Sequence, residues 1–222
     1  MVTLDWAEAR RYLGLKQVVP ELEEKLRQTG ELLIQAAAPK GVWRRFPLSR
    51  RNGRLCFAGL EVSSVKLEAH LDGCREVYLL AATLGVGVDR LLERLAVTDV
   101  SAAVMAQACA AAFLESWCDR YQDQIAAEVS AEALFLRPRF SPGYGDFPLD
   151  TQPALLSALE AGKRIGLTAT GANMLAPTKS VTAVIGLSPE KGSCHAGGCA
   201  TCGKKDCAFR RVEHPETELH KA

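Results

Sequence analysis

Residues 99–132 read DVSAAVMAQACAAAFLESWCDRYQDQIAAEVSAE, and the pattern of that stretch decides the fold. Its first half is apolar nearly all round, the mark of a helix covered on most sides; its second half turns amphipathic, so the helix is expected to emerge toward solvent. Such a helix needs partners. Upstream, Glu76 to Thr83 reads EVYLLAAT, and far downstream Ser180 to Leu187 reads SVTAVIGL. Both are short, apolar and contain β-branched or aromatic residues, which predicts buried core strands. A second helix, VGVDRLLERLA, lies between the first strand and the long helix. The fold class that follows is α+β, a twisted antiparallel or mixed sheet covered by helices.

Other segments fit around this frame. Residues 3–37 read as helical, with a fresh start at Pro20, where proline in a first turn followed by acidic residues suits a helix N-terminus. Leu22, Leu26, Leu32 and Leu33 fall near one face of it. Asn52-Gly53, between two runs with apolar residues, predicts a hairpin within residues 42–60. Ser63 and Ser64 precede VKLEAHLDG, a short helix with a serine cap and a stop at Gly73. A strand is expected over Leu134 to Leu136, a Pro- and Gly-rich turn from Arg137 to Pro148, and one helix over PALLSALEAGKRIG that Asp150 and Thr151 can cap. Composition shifts after Ser188, which divides the chain into a domain over 1–188 and a Cys-rich tail over 189–222.

The whole chain has 222 residues, 48% hydrophobic and 24% charged, with 27 basic against 26 acidic residues for a net charge of +1. That balance excludes a global field for nucleic acid or anionic lipid, so any charged partner site must be local. Uninterrupted apolar runs fall short of the roughly 18 residues of a membrane span, and charges within the first ten residues break any apolar signal core. The reading is a soluble cytoplasmic protein without a membrane or nucleic-acid partner. One segment is uneven: residues 40–54 carry Lys40, Arg44, Arg45, Arg50, Arg51 and Arg54 and no acid, with Trp43, Phe46 and Phe57 interleaved or nearby. It reads as the solvated side of a hairpin or a docking face for an acidic redox partner; a nucleic-acid surface sits poorly with the overall charge. No G-x-S-x-G elbow, H-E-x-x-H pair or phosphate loop is present, so no catalytic constellation is assigned.

Cysteine is unevenly placed. An even spread would give about half a cysteine in fourteen residues, yet Cys194, Cys199, Cys202 and Cys207 fall in one such window with spacing C-x4-C-x2-C-x4-C. Two thiolates separated by two residues reach one metal from a single turn, and Gly197, Gly198 and Gly203 permit the tight backbone that brings in the outer pair. An iron–sulfur cluster, a zinc ion, or a tail without metal are the three readings; spacing alone does not fix metal identity. Cys56, Cys74, Cys109 and Cys118 read as ordinary small core residues.

A second constellation is Arg139-Phe-Ser141-Pro-Gly-Tyr144. A guanidinium offers paired donors to a carboxylate, and a glycine between proline and tyrosine exposes backbone donors beside an aromatic face. The plainer reading is a Pro-Gly turn with Arg139 in a surface salt bridge. The order of motifs bears on that choice: RFSPGYGDFP, then ALLSALEAGKRIGLT, then Met174-Leu-Ala-Pro177-Thr-Lys-Ser180-Val181, preceded by Ala81-Ala-Thr-Leu-Gly85 and the Ala-rich helix. In this order the chain, over roughly residues 77–187, resembles the reactivation domain of cobalamin-dependent methionine synthase.

The resemblance implies binding of S-adenosylmethionine, with Arg139 on its carboxylate, the backbone at Ser141 on its polar groups and Tyr144 beside it. It also implies a role in which the ligand's methyl group and one electron from a flavodoxin or ferredoxin restore cobalamin oxidised to the cob(II) state. Because no homocysteine, folate or cobalamin module fits in this chain, the implied partner is the cobalamin domain of a separate methionine synthase. The chain departs from the family's pattern at Ala111, where a ligand-contacting carboxylate is expected, with Glu115 one helical turn on as the compensating acid. It departs again at Ile185, in place of an aromatic. Asp5 resembles an acidic ligand contact of the family. The cysteine tail lies outside the resemblance; an iron–sulfur cluster there would give the electron an entry point. The alternatives are a cysteine-cluster electron-transfer or scaffold protein for another corrinoid methyltransferase, without S-adenosylmethionine binding, and a sensor that kept the pocket and lost the reductive role.

Overall fold

The computed structural model describes residues 2–15 and 19–190. In chain order the elements are α1 (Trp6–Tyr12), α2 (Pro20–Ala36), β1 (Lys40–Pro47), β2 (Ser49–Arg51), β3 (Arg54–Phe57), β4 (Leu60–Val62), α3 (Val65–His70), β5 (Glu76–Thr83), α4 (Val86–Thr98), α5 (Val100–Val129), β6 (Phe135–Leu136), α6 (Gln152–Ala158), α7 (Ala161–Ile165), β7 (Thr168–Ala169), β8 (Leu175–Ala176) and β9 (Ser180–Ser188). The main sheet has the order β1-β5-β9-β6, and every pairing in it is antiparallel. The expected α+β class holds, and the sheet is antiparallel rather than mixed.

Both central strands are apolar along their length because both faces of the sheet are covered. Tyr78, Leu80 and Ala82 of β5, with Ile185 and Leu187 of β9, face a core built by α1, α2, α4 and α5. Val77, Leu79, Ala81 and Val184 face a second core with Leu55, Phe57, Leu67, Phe140, Phe147 and Leu155. The alternation follows from the two-residue repeat of a strand. Asp99 caps α5, its carboxylate accepting from the Ala102 N–H at 3.0 Å and pairing with the Lys25 ammonium at 2.8 Å. By length and hydropathy α5 would pass for a membrane span. Many of its apolar residues are core: Ala106, Cys109, Ala110, Phe113, Cys118 and Ile125 are buried, the last two on the amphipathic half, while Val100 and Val104 near its start are exposed.

Several expectations are corrected. The Asn52-Gly53 turn forms, with positive φ at both residues (50° and 71°), but the hairpin spans only β2 and β3. The upstream run leaves it to pair with β5, because the chain turns a corner at the buried Leu48, whose N–H donates to Arg75 O at 2.8 Å. The helix expected after Pro153 divides into α6 and α7 at Glu160, whose φ is 52°; the break lets Leu159, Ala161 and Ile165 all reach the second core. Asp150 and Thr151 make no side-chain cap to α6; the Thr151 hydroxyl donates to Pro148 O instead. On α2, Leu26 and Leu33 are buried beside Thr29 and Gly30, while Leu22 and Leu32 are exposed. Cys74, Cys109 and Cys118 are buried as expected, and Cys56 is half-buried. Cys194, Cys199, Cys202 and Cys207 lie outside the described residues.

Candidate functional site

The turn after β6 is built around a bulge. Leu136 pairs with Leu187 and Phe140 bridges Val184, so four steps on one strand oppose three on β9. An extra residue in an antiparallel ladder bends the strand and re-aims its side chains. The ladder resumes on both sides: the Arg137 N–H donates to Gly186 O, and Phe140 exchanges two backbone hydrogen bonds with Val184. Phe140 packs into the second core, and Arg139 reaches α5 on the opposite side of the sheet.

The Phe140-to-Phe147 segment is clamped from below. Phe147 is buried at 2% exposure, and its ring lies 6.2 Å from that of Phe140. Gly143, at φ +86°, donates its N–H to Phe147 O at 2.8 Å. The Asp146 carboxylate caps α3, accepting from the Ser64 hydroxyl and from the Val65 and Lys66 N–H groups at 2.8 and 3.1 Å. The serine and the two amides hold its pKa below the usual carboxylate range. His70 lies against Phe140, ring centroids 5.0 Å apart, and its Nε2–H donates to Pro138 O at 2.8 Å. Burial holds His70 below the ordinary imidazole pKa, with Arg137 adding to that effect and the Pro138 carbonyl opposing it.

Above this base, Arg139 meets three side chains of one helix. Its Nη2 lies 2.8 Å from Glu115 Oε2 and 2.8 Å from Asp119 Oδ1, and its Nη1 donates to Gln122 Oε1 at 3.0 Å. Residues 115, 119 and 122 follow the i, i+4, i+7 spacing of one helical face. Burial opposes the charged guanidinium, but Cys118, Asp119 and Glu115 outweigh it and its pKa is raised. The neighbouring Cys118 thiol is pushed up to about 12, chiefly by burial, so it is a neutral packing group at pH 7.

The structure therefore brings Arg139 and Glu115 into contact. Ser141 and Tyr144 lie on the same turn: Ser141 O accepts from the Tyr144 N–H at 3.0 Å, and the Tyr144 ring, 68% exposed, stands edge-on to Phe140 at 5.2 Å. Asp5 stands at the start of α1. Its carboxylate caps α1 by accepting from the Glu8 N–H at 2.9 Å, and no hydrogen bond or ion pair joins it to the Arg139 cluster. Ile185 is fully buried in the first core, and Ala111 is half-buried on α5. Asp119 and Gln122 were not singled out from sequence; their spacing from Glu115 is the signal that finds them.

Two other features carry less chemistry. A groove of about 520 Å³ between α1 and α2 is lined by Trp6, Arg10, Glu23, Glu24, Arg27 and Glu31. Its charges are paired among themselves, Arg10 with Glu23 and Arg27 with Glu24 and Glu31. The basic segment is also dispersed. Arg45 is shared by Glu76 and Glu132, Arg50 donates to the carbonyls of Leu71 and Cys74, and Arg54 pairs with Glu61. Among the described residues, no cluster of three or more His, Cys, Asp or Glu is arranged to hold a metal.

Comparison with solved structures bears on this geometry. The chain superposes on a structure described as the MetH reactivation domain bound to AdoHcy, with a TM-score of 0.64, 16% identity, and coverage of 85% of this chain and 75% of that one. The fold is that of the MetH reactivation domain. No protein-family model and no curated protein matches the chain, so the likeness to that domain is carried by backbone architecture. At 16% identity it extends to the fold and leaves the site to be argued from its own residues.

Proposed function

We propose that this protein binds S-adenosylmethionine at the Arg139 turn and supports reductive reactivation of a cobalamin-dependent methionine synthase. The observation that carries the reading is the meeting of Arg139 with Glu115 and Asp119, on a fold shared with a reactivation domain whose structure holds AdoHcy. These groups suit the amino-acid end of such a ligand. A guanidinium takes a carboxylate with two parallel hydrogen bonds, and a carboxylate takes an ammonium. Glu115 supplies the acid that Ala111 does not. Tyr144 offers a ring face or edge beside the turn, and the Ser141 backbone offers polar contacts to the rest of the ligand.

The protein's own work in this role is positional: it presents a bound methyl donor to a partner's cobalamin domain and keeps the reacting groups oriented. The four cysteines Cys194, Cys199, Cys202 and Cys207 are the proposed entry point for the electron. As thiolates they are the right donor set for an iron–sulfur cluster, with zinc as the other metal that set would take. Flavodoxin or ferredoxin is the class of donor upstream.

The test is reactivation itself. A methionine synthase trapped in the cob(II) state is supplied with reductant, S-adenosylmethionine and this protein under anaerobic conditions. Recovery of turnover that needs both the protein and the ligand is expected. Ligand binding without recovery would point to a sensor. Recovery or electron transfer without ligand binding would point to the cysteine-cluster reading. Iron and sulfide analysis of anaerobically purified protein tests the cluster: normal reactivation by protein lacking both would remove it from the account.

A further inference from the structure

We infer that the free edge of β1 is a docking site for an extended, acidic segment of a partner protein, which joins the main sheet as a further strand. β1 stands at the end of the sheet order and pairs with β5 alone. The parity of that pairing is set at the corner that follows it. There the Leu48 N–H donates to Arg75 O, and these two residues continue the β1–β5 register by one step. Hydrogen-bonded and non-bonded pairs alternate along an antiparallel ladder. Lys40, Val42, Arg44 and Phe46 therefore bond to β5, while Gly41, Trp43, Arg45 and Pro47 turn their backbone groups outward. Pro47 suits that parity, since it has no N–H to donate and a proline in a sheet belongs where its nitrogen faces away from the ladder. Among the described residues, no hydrogen bond reaches the outward N–H groups of Gly41, Trp43 and Arg45 or the carbonyls beside them. A row of such groups is a template for another strand.

Side chains decide which strand fits. On the face that β1 shares with the second core, Val42 and Phe46 pack inward, and Arg44 lies over the Phe46 ring at 5.2 Å. Lys40 and Arg44 are exposed there, and neither forms an ion pair among the described residues. α7 packs against the same strand and adds Lys163 and Arg164. Glu160 is the acid beside them: Arg164 pairs with it at 2.7 Å, and Lys163 and Arg44 also help to hold its pKa below the usual carboxylate range. Cations prevail on this face. On the other face Trp43 donates to Glu128, and Arg45 is taken up by Glu76 and Glu132, so acids prevail. A strand laid along the edge sends alternate side chains to the two faces. Charge complementarity asks for acids in the row beside Lys40 and Arg44, and for apolar or basic residues in the row beside Trp43. A second copy of this chain fits badly, because its own β1 would bring Lys40 and Arg44 onto the face that already holds the same two cations. The edge lies at the opposite end of the sheet from β6 and the Arg139 turn, so a segment docked here leaves that turn free.

The test uses the full chain and a labelled peptide in which Glu-Val-Glu-Lys is repeated, so that acids occupy every second position. Residues opposite one another share a face, so the Val and Lys rows bond to the outward groups of β1. A second peptide, N-methylated at its Val and Lys nitrogens, keeps the charges and loses those donors. Fluorescence anisotropy is expected to show saturable binding that N-methylation abolishes. The Lys40→Glu, Arg44→Glu double variant should weaken it about tenfold or more at low salt. Amide hydrogen exchange locates the contact: the Gly41, Trp43 and Arg45 N–H groups should exchange readily in the free chain and slow about tenfold or more with peptide bound. The ladder N–H groups of Val42 and Arg44 stay protected throughout. Failure of the first peptide to bind, or equal binding of the N-methylated one, would overturn the inference. So would protection of Gly41, Trp43 and Arg45 in the free chain, since the edge would then already be covered: by a second copy if dilution removes the protection, by residues 191–222 if it does not. Should the double variant not fold, the N-methyl comparison and the wild-type exchange decide.

Discussion

Residues 40–54 carry six cations and no acid, whereas the turn over 137–148 carries two arginines and one aspartate. By composition the first stretch is the natural binding surface. In the folded chain its charges part company: β1 places Arg45 between Glu76 and Glu132, Arg50 braces the carbonyls after α3, and Arg54 meets Glu61. Arg139 stands alone in sequence, yet it gathers three acceptors from one helix while its turn is fixed to the second core beneath. Charge density along a chain is diluted by a sheet, which sends neighbours to opposite faces; a site needs convergence from separate elements onto a rigid base.

That contrast is broken most severely through the base of the turn. Phe147→Ala removes a fully buried ring and is expected to cost about 3–5 kcal/mol by chemical denaturation, with S-adenosylmethionine binding lost alongside. Retention of both would mean that the turn does not depend on its anchor. On the basic segment the effects are smaller and uneven. Arg45→Ala strips two carboxylates of their shared partner and is expected to cost about 1 kcal/mol. Arg51→Glu should change stability by no more than about 0.5 kcal/mol, leave ligand binding unchanged, and alter only the salt dependence of any acidic partner's docking. Equal effects at Arg45 and Arg51 would erase the distinction drawn within the segment.

Acid sharpens the comparison from the other side. His70 is held below its unfolded value of about 6.5, burial being the main cause. Its contribution to stability is therefore complete above that value and is lost as pH falls through the lower folded value. Wild type should lose stability over this acidic range by a margin that His70→Gln removes, read as the difference between their urea midpoints at each pH. Parallel midpoint curves would contradict the lowering of the His70 pKa by burial.

The frame was legible because its signals are periodic and local. β5 matches the run from Glu76 to Thr83 residue for residue, and α4, α5 and β9 lie within one to three residues of their expected limits, since strands buried on both faces and a helix covered on most sides leave continuous apolar text. The Asn52-Gly53 turn was legible for its backbone preference, but the strand before it was assigned to the wrong partner, because nothing local marks Leu48 as a corner. Glu160 in a left-handed conformation was invisible for the same reason: the break serves packing of Leu159 and Ala161, a tertiary demand. At the site, Arg139 and Glu115 were named through a family resemblance, and their contact across 24 residues is a product of the bulge after β6. Asp119 and Gln122 share the helical face of Glu115 and follow from its choice by spacing alone, whereas the Asp146 cap on α3 joins residues some 80 apart and leaves no local mark.

Arg139 is the proposed anchor of the ligand. Calorimetric titration of S-adenosylmethionine into anaerobically prepared wild type and Arg139→Ala tests that most directly. Saturable binding by wild type at one ligand per chain is expected, weakened about 30-fold or more in the variant, the effect of truncating one partner of a shielded charge contact. Wild-type protein that does not bind, or a folded Arg139→Ala protein that binds as well as wild type, would contradict the account and move attention to Cys194, Cys199, Cys202 and Cys207.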